Sequence, residues 1–264
     1  MEKYYDYIIV PFETARAGRG AWTLRMTGNP YGSRARIGIA TPQANPTVEP
    51  EMWRLMPDGV SMLVTRSVSR GNPRQRLLDY FHGLEETLER YGGLRLDAFG
   101  FACTASSYLL EAGVEERSCG ELAERFAYPI VTAAAAVEQA LRALGAKRLA
   151  IASPYPEWIH EACLAHWRRR GFEVTSACTA SPDMEDTYGI YSLDPRRAAD
   201  LFAERLVDNQ ADAVLITGTG MPTLSAIARL QAGLGQPVLS SNLCLAWACL
   251  RAAGASDEPF PALG

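Results

Sequence analysis

Cys103 is the residue of this sequence whose type and placement point most directly to chemistry. It lies in the segment ACTASSY (102–108), between a predicted buried strand and a helix predicted to begin near Ser106. A thiol at a helix N-terminus is stabilised as thiolate by the helix dipole and by free N–H groups, which lower its pKa. We therefore predict a reactive thiol. The alternative is that Cys103 only packs, because free cysteine is among the most buried residue types.

The loop that holds Cys103 also offers hydroxyl and backbone N–H donors. Thr104, Ser106 and Ser107 follow the cysteine closely, and a cluster of such donors suits an anion or an oxyanion. For the two serines, ordinary capping of the following helix explains their presence equally well.

Three other loops carry groups that suit a carboxylate. Asn45, in the loop 42–49, is either a side-chain donor to a carboxylate or the cap of a helix that starts nearby. Tyr155 offers a phenol O–H, although an amphipathic tyrosine at a cleft rim is common. Residues 217–220 are small, and their glycines let a ligand approach the main chain.

Other patterns are weaker. The segment GTG (218–220) lacks the full dinucleotide-binding fingerprint and follows the wrong strand for it. His160 and His166 are six residues apart, which sets them about 120° apart around a helix instead of on one face. An amphipathic helix therefore explains these histidines, and Cys163 between them, better than a metal site does. We predict no cofactor and no metal.

The candidate residues belong to a unit that occurs twice in the sequence. Three segments recur in the same order, offset by roughly 110 residues. They pair residues 36–42 with 148–154, residues 96–104 with 211–219, and residues 129–132 with 237–240. Each is a short apolar run that ends in a loop, as a buried strand does. This register sets Cys103 opposite Gly218, whereas Cys178 falls outside it and is interpreted as structural.

Helical apolar spacing separates these strands, at residues 77–91, 121–126, 158–170, 198–207 and 223–234. Alternating strands and helices predict parallel sheets with helices on both faces. We expect an α/β fold of two pseudo-symmetric, doubly wound, flavodoxin-like parallel-sheet halves. The active site would lie in the cleft between them, at the carboxyl ends of the strands.

The repeat also divides the chain into predicted domains. Residues 35–145 form the first α/β half, joined by a C-terminal helix in residues 241–264, and residues 146–240 form the second half. Residues 1–34 are an N-terminal extension without a counterpart in the repeat. Its residues 4–12 suggest an edge strand or an oligomer contact, and residues 18–33 suggest a glycine-rich loop.

Composition excludes several classes of protein. With 48% hydrophobic and 21% charged residues, the 264-residue chain is typical of a soluble globular protein, and its net charge of −4 argues against a nucleic-acid partner. No apolar run reaches the roughly 18–20 residues of a membrane span, and the charged start is unlike a signal peptide. We therefore expect a cytoplasmic protein whose six cysteines are free thiols. Homo-oligomerisation stays open, because dimers are common but no interface pattern is visible.

Five motifs in this order resemble the aspartate/glutamate racemase superfamily, specifically its maleate isomerase and arylmalonate decarboxylase branch. The resemblance covers roughly residues 34–255. It implies two pseudo-symmetric α/β subdomains, no cofactor and no metal. It also implies that racemases and isomerases use two cysteines, one per half, across a substrate that bears carboxylates. The motifs are Pro42-x-x-Asn45-x-x-x-Glu49, Ala102-Cys-Thr104, Ser153-Pro-Tyr155, Thr217-Gly-Thr-Gly220 and Ser240-Ser-Asn242.

The sequence departs from this family pattern at Gly218, where the second cysteine is expected. The family's decarboxylase also works with one cysteine, but carries it in the second half, so this chain resembles its mirror arrangement. We expect a decarboxylase of a small malonate-type diacid, with one carboxylate held by Thr104, Tyr155 and the backbone near Thr219. Cys103 would protonate the enediolate on the face opposite to that used by the familiar decarboxylases.

Two alternatives accompany this expectation. A maleate-type cis–trans isomerase would use Cys103 as a covalent nucleophile and Asn45 as a carboxylate clamp, as the resemblance implies for that branch. The second alternative is a non-catalytic protein that keeps the cleft and binds a carboxylate there. In every case the partner is a small dicarboxylate. The predicted binding residues are Pro42, Asn45, Thr104, Ala105, Tyr155, Gly218, Thr219 and Gly220.

Overall fold

Strands and helices alternate along the chain in a computed structural model that describes residues 31–181, 183–256 and 258. The first half contains β1 (Ala35–Pro42), α1 (Val48–Leu55), β2 (Val60–Ser67), α2 (Pro73–His82), α3 (Leu84–Glu89), β3 (Ala98–Phe101), α4 (Thr104–Leu109), α5 (Val114–Phe126), β4 (Ile130–Thr132) and α6 (Ala133–Ala143). The second half contains β5 (Arg148–Ser153), α7 (Glu157–Arg169), β6 (Glu173–Thr179), a 3₁₀ helix (Thr187–Ser192), α8 (Pro195–Arg205), β7 (Ala213–Ile216), α9 (Leu224–Leu234), β8 (Val238–Ser240) and α10 (Ser241–Ala252).

The strands form two four-stranded sheets with the same order, β2-β1-β3-β4 and β6-β5-β7-β8. Every neighbouring pair is parallel. The strands β3 and β7, at equivalent places in the two sheets, are buried along their whole length, as expected of strands covered by helices on both faces. The predicted α/β fold of two pseudo-symmetric parallel-sheet halves is confirmed.

The repeat locates three of the four strands in each sheet. All three matched segment pairs contain strands, and these are β1, β3 and β4 in one half and β5, β7 and β8 in the other. The strands β2 and β6, each at one edge of its sheet, lie outside the matched segments. Several of their side chains are only partly buried, so they lack the continuous apolar run that marks the matched strands.

Three predicted helix boundaries were wrong. The segment 77–91 is two helices, because α2 ends at Gly83, whose N–H caps the carbonyl of Asp79. The helix after Cys103 begins at Thr104, not near Ser106. The helix predicted at 121–126 begins at Val114; none of its residues is fully buried, so its first two turns show little apolar periodicity.

The helix α10 crosses from the second half to the first. It packs against α6 and against β1, β3 and β4 of the first sheet, as well as against β8. The division of the chain into domains stays a prediction, and the predicted elements at 4–12 and in most of 18–33 lie outside the described residues. Within the described part of the chain, no helix has the length and apolarity needed to cross a membrane.

Candidate active site

The carboxyl ends of β3 and β7 set Cys103 and Gly218 at equivalent positions. Each residue follows the last residue of its strand by two, after Phe101 in the first half and Ile216 in the second. Because both strands are inner strands at matching places in their sheets, the alignment of Cys103 with Gly218 holds in three dimensions.

A small cavity between the halves brings together most of the predicted binding residues. Its volume is ≈ 30 Å³, and because one water needs about 10–15 Å³, the cavity has room for about two waters unless it widens. The predicted residues that line it are Pro42, Asn45, Cys103, Ala105, Tyr155, Thr219 and Gly220. The predicted residues Thr104 and Gly218 are not part of its lining; each contacts Tyr155 instead.

The Cys103 thiol is buried at the residue that precedes α4. Ser106 Oγ lies 3.2 Å from its sulfur and also donates to the Leu77 carbonyl at 2.6 Å. Burial raises the pKa of Cys103, and hydrogen bonds from Ser106 and from the backbone of Ala105 and Ser106 oppose that shift only in part. The predicted lowering of the thiol pKa was wrong, because desolvation of the thiolate outweighs the helix N-terminus. The thiol is protonated at neutral pH.

The hydroxyls of the two serines in the Cys103 loop already donate hydrogen bonds to other groups of the protein. Ser106 and Ser107 both lie inside α4, so neither caps it. The Ser107 hydroxyl donates to Glu115 at 2.6 Å. Neither the anion-hole interpretation nor the capping interpretation of these serines holds.

Two buried hydrogen bonds join the halves beside Cys103. Thr104 Oγ1 lies 2.8 Å from the phenol oxygen of Tyr155, and the phenol oxygen of Tyr108 lies 2.6 Å from Thr217 Oγ1. Burial raises the pKa of Tyr155 well above its ordinary value, so its phenol stays a hydrogen-bond donor. The pair Thr104 and Tyr155 can therefore present an O–H group to a ligand in the cavity.

The loop 218–220 has backbone N–H groups without partners among the described residues, and it leaves little space for a side chain at Gly218. Gly218 has a φ of 91°, and a Cβ there would meet Pro154 at 3.0 Å and the Tyr155 phenol at 3.2 Å. Residues 218–220 are buried, yet within the described chain none of their N–H groups enters a hydrogen bond. Buried N–H groups usually have a partner, and a ligand oxygen in the cavity would supply one.

The first loop is tied to this second loop by side chains. Asn45 Oδ1 accepts from the backbone N–H of Thr47 and Val48, and its Nδ2 lies 3.3 Å from Thr219 Oγ1. Thr219 in turn donates to the Ala102 carbonyl at 2.9 Å. Asn45 therefore accepts from the N–H groups at the start of α1, whose N-cap residue is Thr47, and also lines the cavity.

Sequence reasoning missed seven residues of the cavity lining. Leu77 and two polar residues come from α2, and the others come from the 3₁₀ helix of the second half. None belongs to a repeat-matched loop, so the repeat gave no indication of them. They are Arg76, Leu77, Tyr80, Thr187, Tyr188, Ile190 and Tyr191.

The helix α7 carries the histidines considered above for a metal. His166 packs its ring 5.0 Å from both Tyr108 and Trp167. Burial, together with Arg169 and Arg170, lowers the pKa of His166 to about 4. Among residues 31–181, 183–256 and 258, no group of three or more His, Cys, Asp or Glu residues is arranged to hold a metal ion.

Comparison with known proteins gives one family. Residues 37–262 match a family model described as arylmalonate decarboxylase. The chain is 27% identical to the maleate isomerase of Geobacillus stearothermophilus, over 78% of this chain and 86% of that protein. It is 25% identical to the arylmalonate decarboxylase of Bordetella bronchiseptica, over 88% and 96% of the two chains.

Solved structures agree with these matches. A cysteine-to-alanine variant of the maleate isomerase Iso from Pseudomonas putida S16, solved with maleate, has a TM-score of 0.77 and 25% identity to this chain. The match covers 86% of this chain and 95% of that one.

Proposed function

We propose that the chain, which belongs to the arylmalonate decarboxylase family, is a cofactor-independent decarboxylase of a small malonate-type dicarboxylic acid. The chain is an enzyme, a lyase or an isomerase of the racemase superfamily. Decarboxylation is the finer assignment that the site geometry supports best.

The observation that carries the proposal is the pairing of one thiol with one glycine. Cys103 and Gly218 occupy equivalent positions, and the backbone and neighbours of Gly218 leave a side chain there strained. Racemisation needs a proton donor and an acceptor on opposite faces of the substrate. Decarboxylation needs only one donor, after carbon dioxide has left.

In the proposed reaction one carboxylate binds Tyr155, whose phenol is hydrogen-bonded to Thr104, and the backbone N–H groups near Thr219. The other carboxylate lies against the apolar part of the wall, formed by Leu77 and Ile190 among others. Its bond to the α-carbon breaks, carbon dioxide leaves, and the electron pair passes into the retained carboxylate as an enediolate. Hydrogen-bond donors stabilise this dianionic species.

Cys103 then completes the reaction. Its S–H proton passes to the α-carbon, which gives the monocarboxylate and a thiolate, and the thiolate regains a proton from water. The raised pKa of Cys103 supports this role, because a proton donor must hold its proton at the working pH. A nucleophile would instead need the thiolate.

The test is proton NMR of the purified protein in D₂O with a panel of substituted malonates. We expect loss of carbon dioxide and one deuterium on a single face of the α-carbon. Cys103→Ala should abolish turnover, and Cys178→Ala, on β6 and outside the cavity lining, should keep it. Full activity of Cys103→Ala would overturn the proposal.

A maleate-type cis–trans isomerase is the second candidate, and the placement of Asn45 favours it. Asn45 lines the cavity and its Nδ2 donates to Thr219 Oγ1; an amide nitrogen has a second N–H, which suits the carboxylate of a diacid. The Pseudomonas putida relative was solved with maleate. Fumarate formed from maleate in the same NMR panel, with a thioether adduct on Cys103 by mass spectrometry, would establish this candidate instead.

A further inference from the structure

The helix α2 brings two buried donors, one turn apart, to the cavity that Cys103 lines. Arg76 is 6% exposed and Tyr80 is 2% exposed, and both line the cavity. Within the described residues, Nε of Arg76 has no hydrogen-bond partner, whereas the phenol of Tyr80 interacts with that of Tyr188. Buried donors without partners are rare and costly, so the Nε–H of Arg76 indicates an acceptor that the protein itself does not supply.

The Nη2 group of Arg76 is bound by the second half of the chain. It lies 2.5 Å from Asp186 Oδ1 and 3.1 Å from Thr187 Oγ1. The charged centre of the guanidinium stacks 4.0 Å from the ring centroid of Tyr188. The guanidinium is therefore held in one orientation, with its Nε–H left for a further acceptor.

The chemistry of that acceptor follows from the donors. A guanidinium N–H carries positive charge and prefers an anion such as a carboxylate to a neutral oxygen. A tyrosine O–H adds one more donor to such a group. The proton donor Cys103 lies in the wall of the same cavity, so a ligand bound at both places is short.

We propose that Arg76 and Tyr80 form a second carboxylate subsite, and that the substrate is a malonate whose short substituent itself ends in a carboxylate. This inference rests on the proposed decarboxylase function. The carboxylate at Arg76 is retained, because an ion pair with the departing carboxylate would stabilise the ground state and slow its loss. The product is then a short diacid of the succinate type.

The test is calorimetric titration with succinate and propionate, which differ by the second carboxylate and need no turnover. The wild-type protein should bind succinate at least about tenfold more tightly than propionate, since a charged hydrogen bond is worth about that factor. Arg76→Gln should lose this preference while propionate binding stays the same. Tyr80→Phe should weaken succinate alone.

Arg74→Gln is the matched control, because Arg74 is an exposed arginine of the same helix that does not line the cavity. It should keep the preference for succinate. If Arg74→Gln loses succinate binding as Arg76→Gln does, or if the wild type binds both acids equally, the subsite is wrong. Circular dichroism melts establish that each variant is folded.

The subsite and the decarboxylase can fail separately. If the protein decarboxylates methylmalonate, but Arg76→Gln binds succinate as tightly as the wild type does, the subsite alone is overturned. Succinate binding that depends on Arg76, with no carbon dioxide released from any malonate, overturns the decarboxylase and leaves a diacid subsite in place.

Discussion

Thr104 Oγ1 and the phenol oxygen of Tyr155 lie 2.8 Å apart, so one hydrogen bond links the two halves of the chain directly beside the thiol. Tyr155 also contacts the position where a Cβ of Gly218 would lie. The phenol is therefore set between the thiol side and the glycine side of the cavity. Its position depends on both halves at once.

Tyr155→Phe should reduce kcat while the protein stays folded. The change removes one donor to the enediolate, and loss of one such donor typically costs roughly 100-fold in kcat. KM should change much less, because the charge that the phenol stabilises develops mainly in the transition state. Steady-state kinetics of the decarboxylation checks this.

Tyr108→Phe is the control for that experiment. It removes an equally buried bond between the halves, from Tyr108 to Thr217 at 2.6 Å, but Tyr108 does not line the cavity. Both variants should lose about 1 kcal/mol of stability, and only Tyr155→Phe should lose activity. Equal loss of activity in both would assign Tyr155 a structural role.

Gly218→Ala should damage both stability and activity. A left-handed φ of 91° costs a residue with a side chain about 1–2 kcal/mol, and the new methyl group would press on Pro154 and Tyr155. Gly235→Ala carries the backbone cost alone, since its φ is 67° and no heavy atom lies within 4 Å of its Cβ. We expect thermal melting to show the larger loss for Gly218→Ala and kinetics to show loss of activity only there.

Alkylation of Cys103 should be slow at neutral pH. Burial raises its thiol pKa above the ordinary value of about 8.5, so the reactive thiolate is scarce. Iodoacetamide labelling, followed at Cys103 by peptide mass spectrometry, should therefore rise only above that pH. In urea-unfolded protein, labelling of Cys103 should instead rise around the ordinary thiol pKa. A labelling midpoint near pH 7 in the folded protein would favour the nucleophilic role and the isomerase.

Glu51→Ala should destabilise the protein strongly. The buried Glu51 carboxylate accepts from the Thr223 and Leu224 N–H groups at the start of α9 and from Asn242 Nδ2 at 2.8 Å. Removing it leaves these donors buried without an acceptor, at a cost of roughly 3 kcal/mol or more.

The neighbouring Glu49 provides the comparison for Glu51. It pairs with Arg66 in a half-exposed ion pair, of the kind worth about 1 kcal/mol or less. Urea unfolding should therefore separate Glu51→Ala from Glu49→Ala clearly. Similar losses for the two variants would contradict the bridging role of Glu51.

Lowering the pH should reduce the free energy of unfolding, because His166 is buried in its neutral form. Its pKa is about 4 in the folded protein, lowered by burial and by Arg169 and Arg170, with Glu116 acting in the opposite sense. Since the unfolded value is about 6.5, the unfolded chain takes up this proton first. Stability from the neutral His166 is complete above about pH 6.5 and is lost as the pH falls towards about 4, by about 3 kcal/mol in all.

Urea unfolding at pH 7 and pH 4.5 checks this, with His166→Gln as the comparison. The loss of stability between the two pH values should be smaller in His166→Gln than in the wild type. An equal loss would assign the acid sensitivity to other groups.

The inner sheet strands and the loops after them could be predicted because the chain repeats them. Cys103 and Gly218 fall at the same place in two copies of one unit, and buried parallel strands carry an unmistakable apolar run. The site contributions of Arg76 and Tyr80 could not be found this way. They depend on how a helix face packs, although an arginine on the otherwise apolar face of Leu77 and Tyr80 was a usable signal.

The pKa of Cys103 was mispredicted for a related reason. Position at a helix start can be inferred from sequence, but the degree of desolvation is a property of the packed structure. The 3₁₀ helix 187–192 that closes the cavity lies between β6 and α8, in a stretch without periodicity. Sequence alone gave no reason to place it over Cys103.

The return of α10 to the first sheet sets an order of events during synthesis. The strand β1 begins at Ala35, and the helix that covers β1, β3 and β4 begins at Ser241. At about 5–20 residues per second, the ribosome makes α10 on the order of ten seconds or more after β1. For that interval the first sheet must keep an apolar face uncovered or shielded by other proteins, so its folding is completed only late in translation.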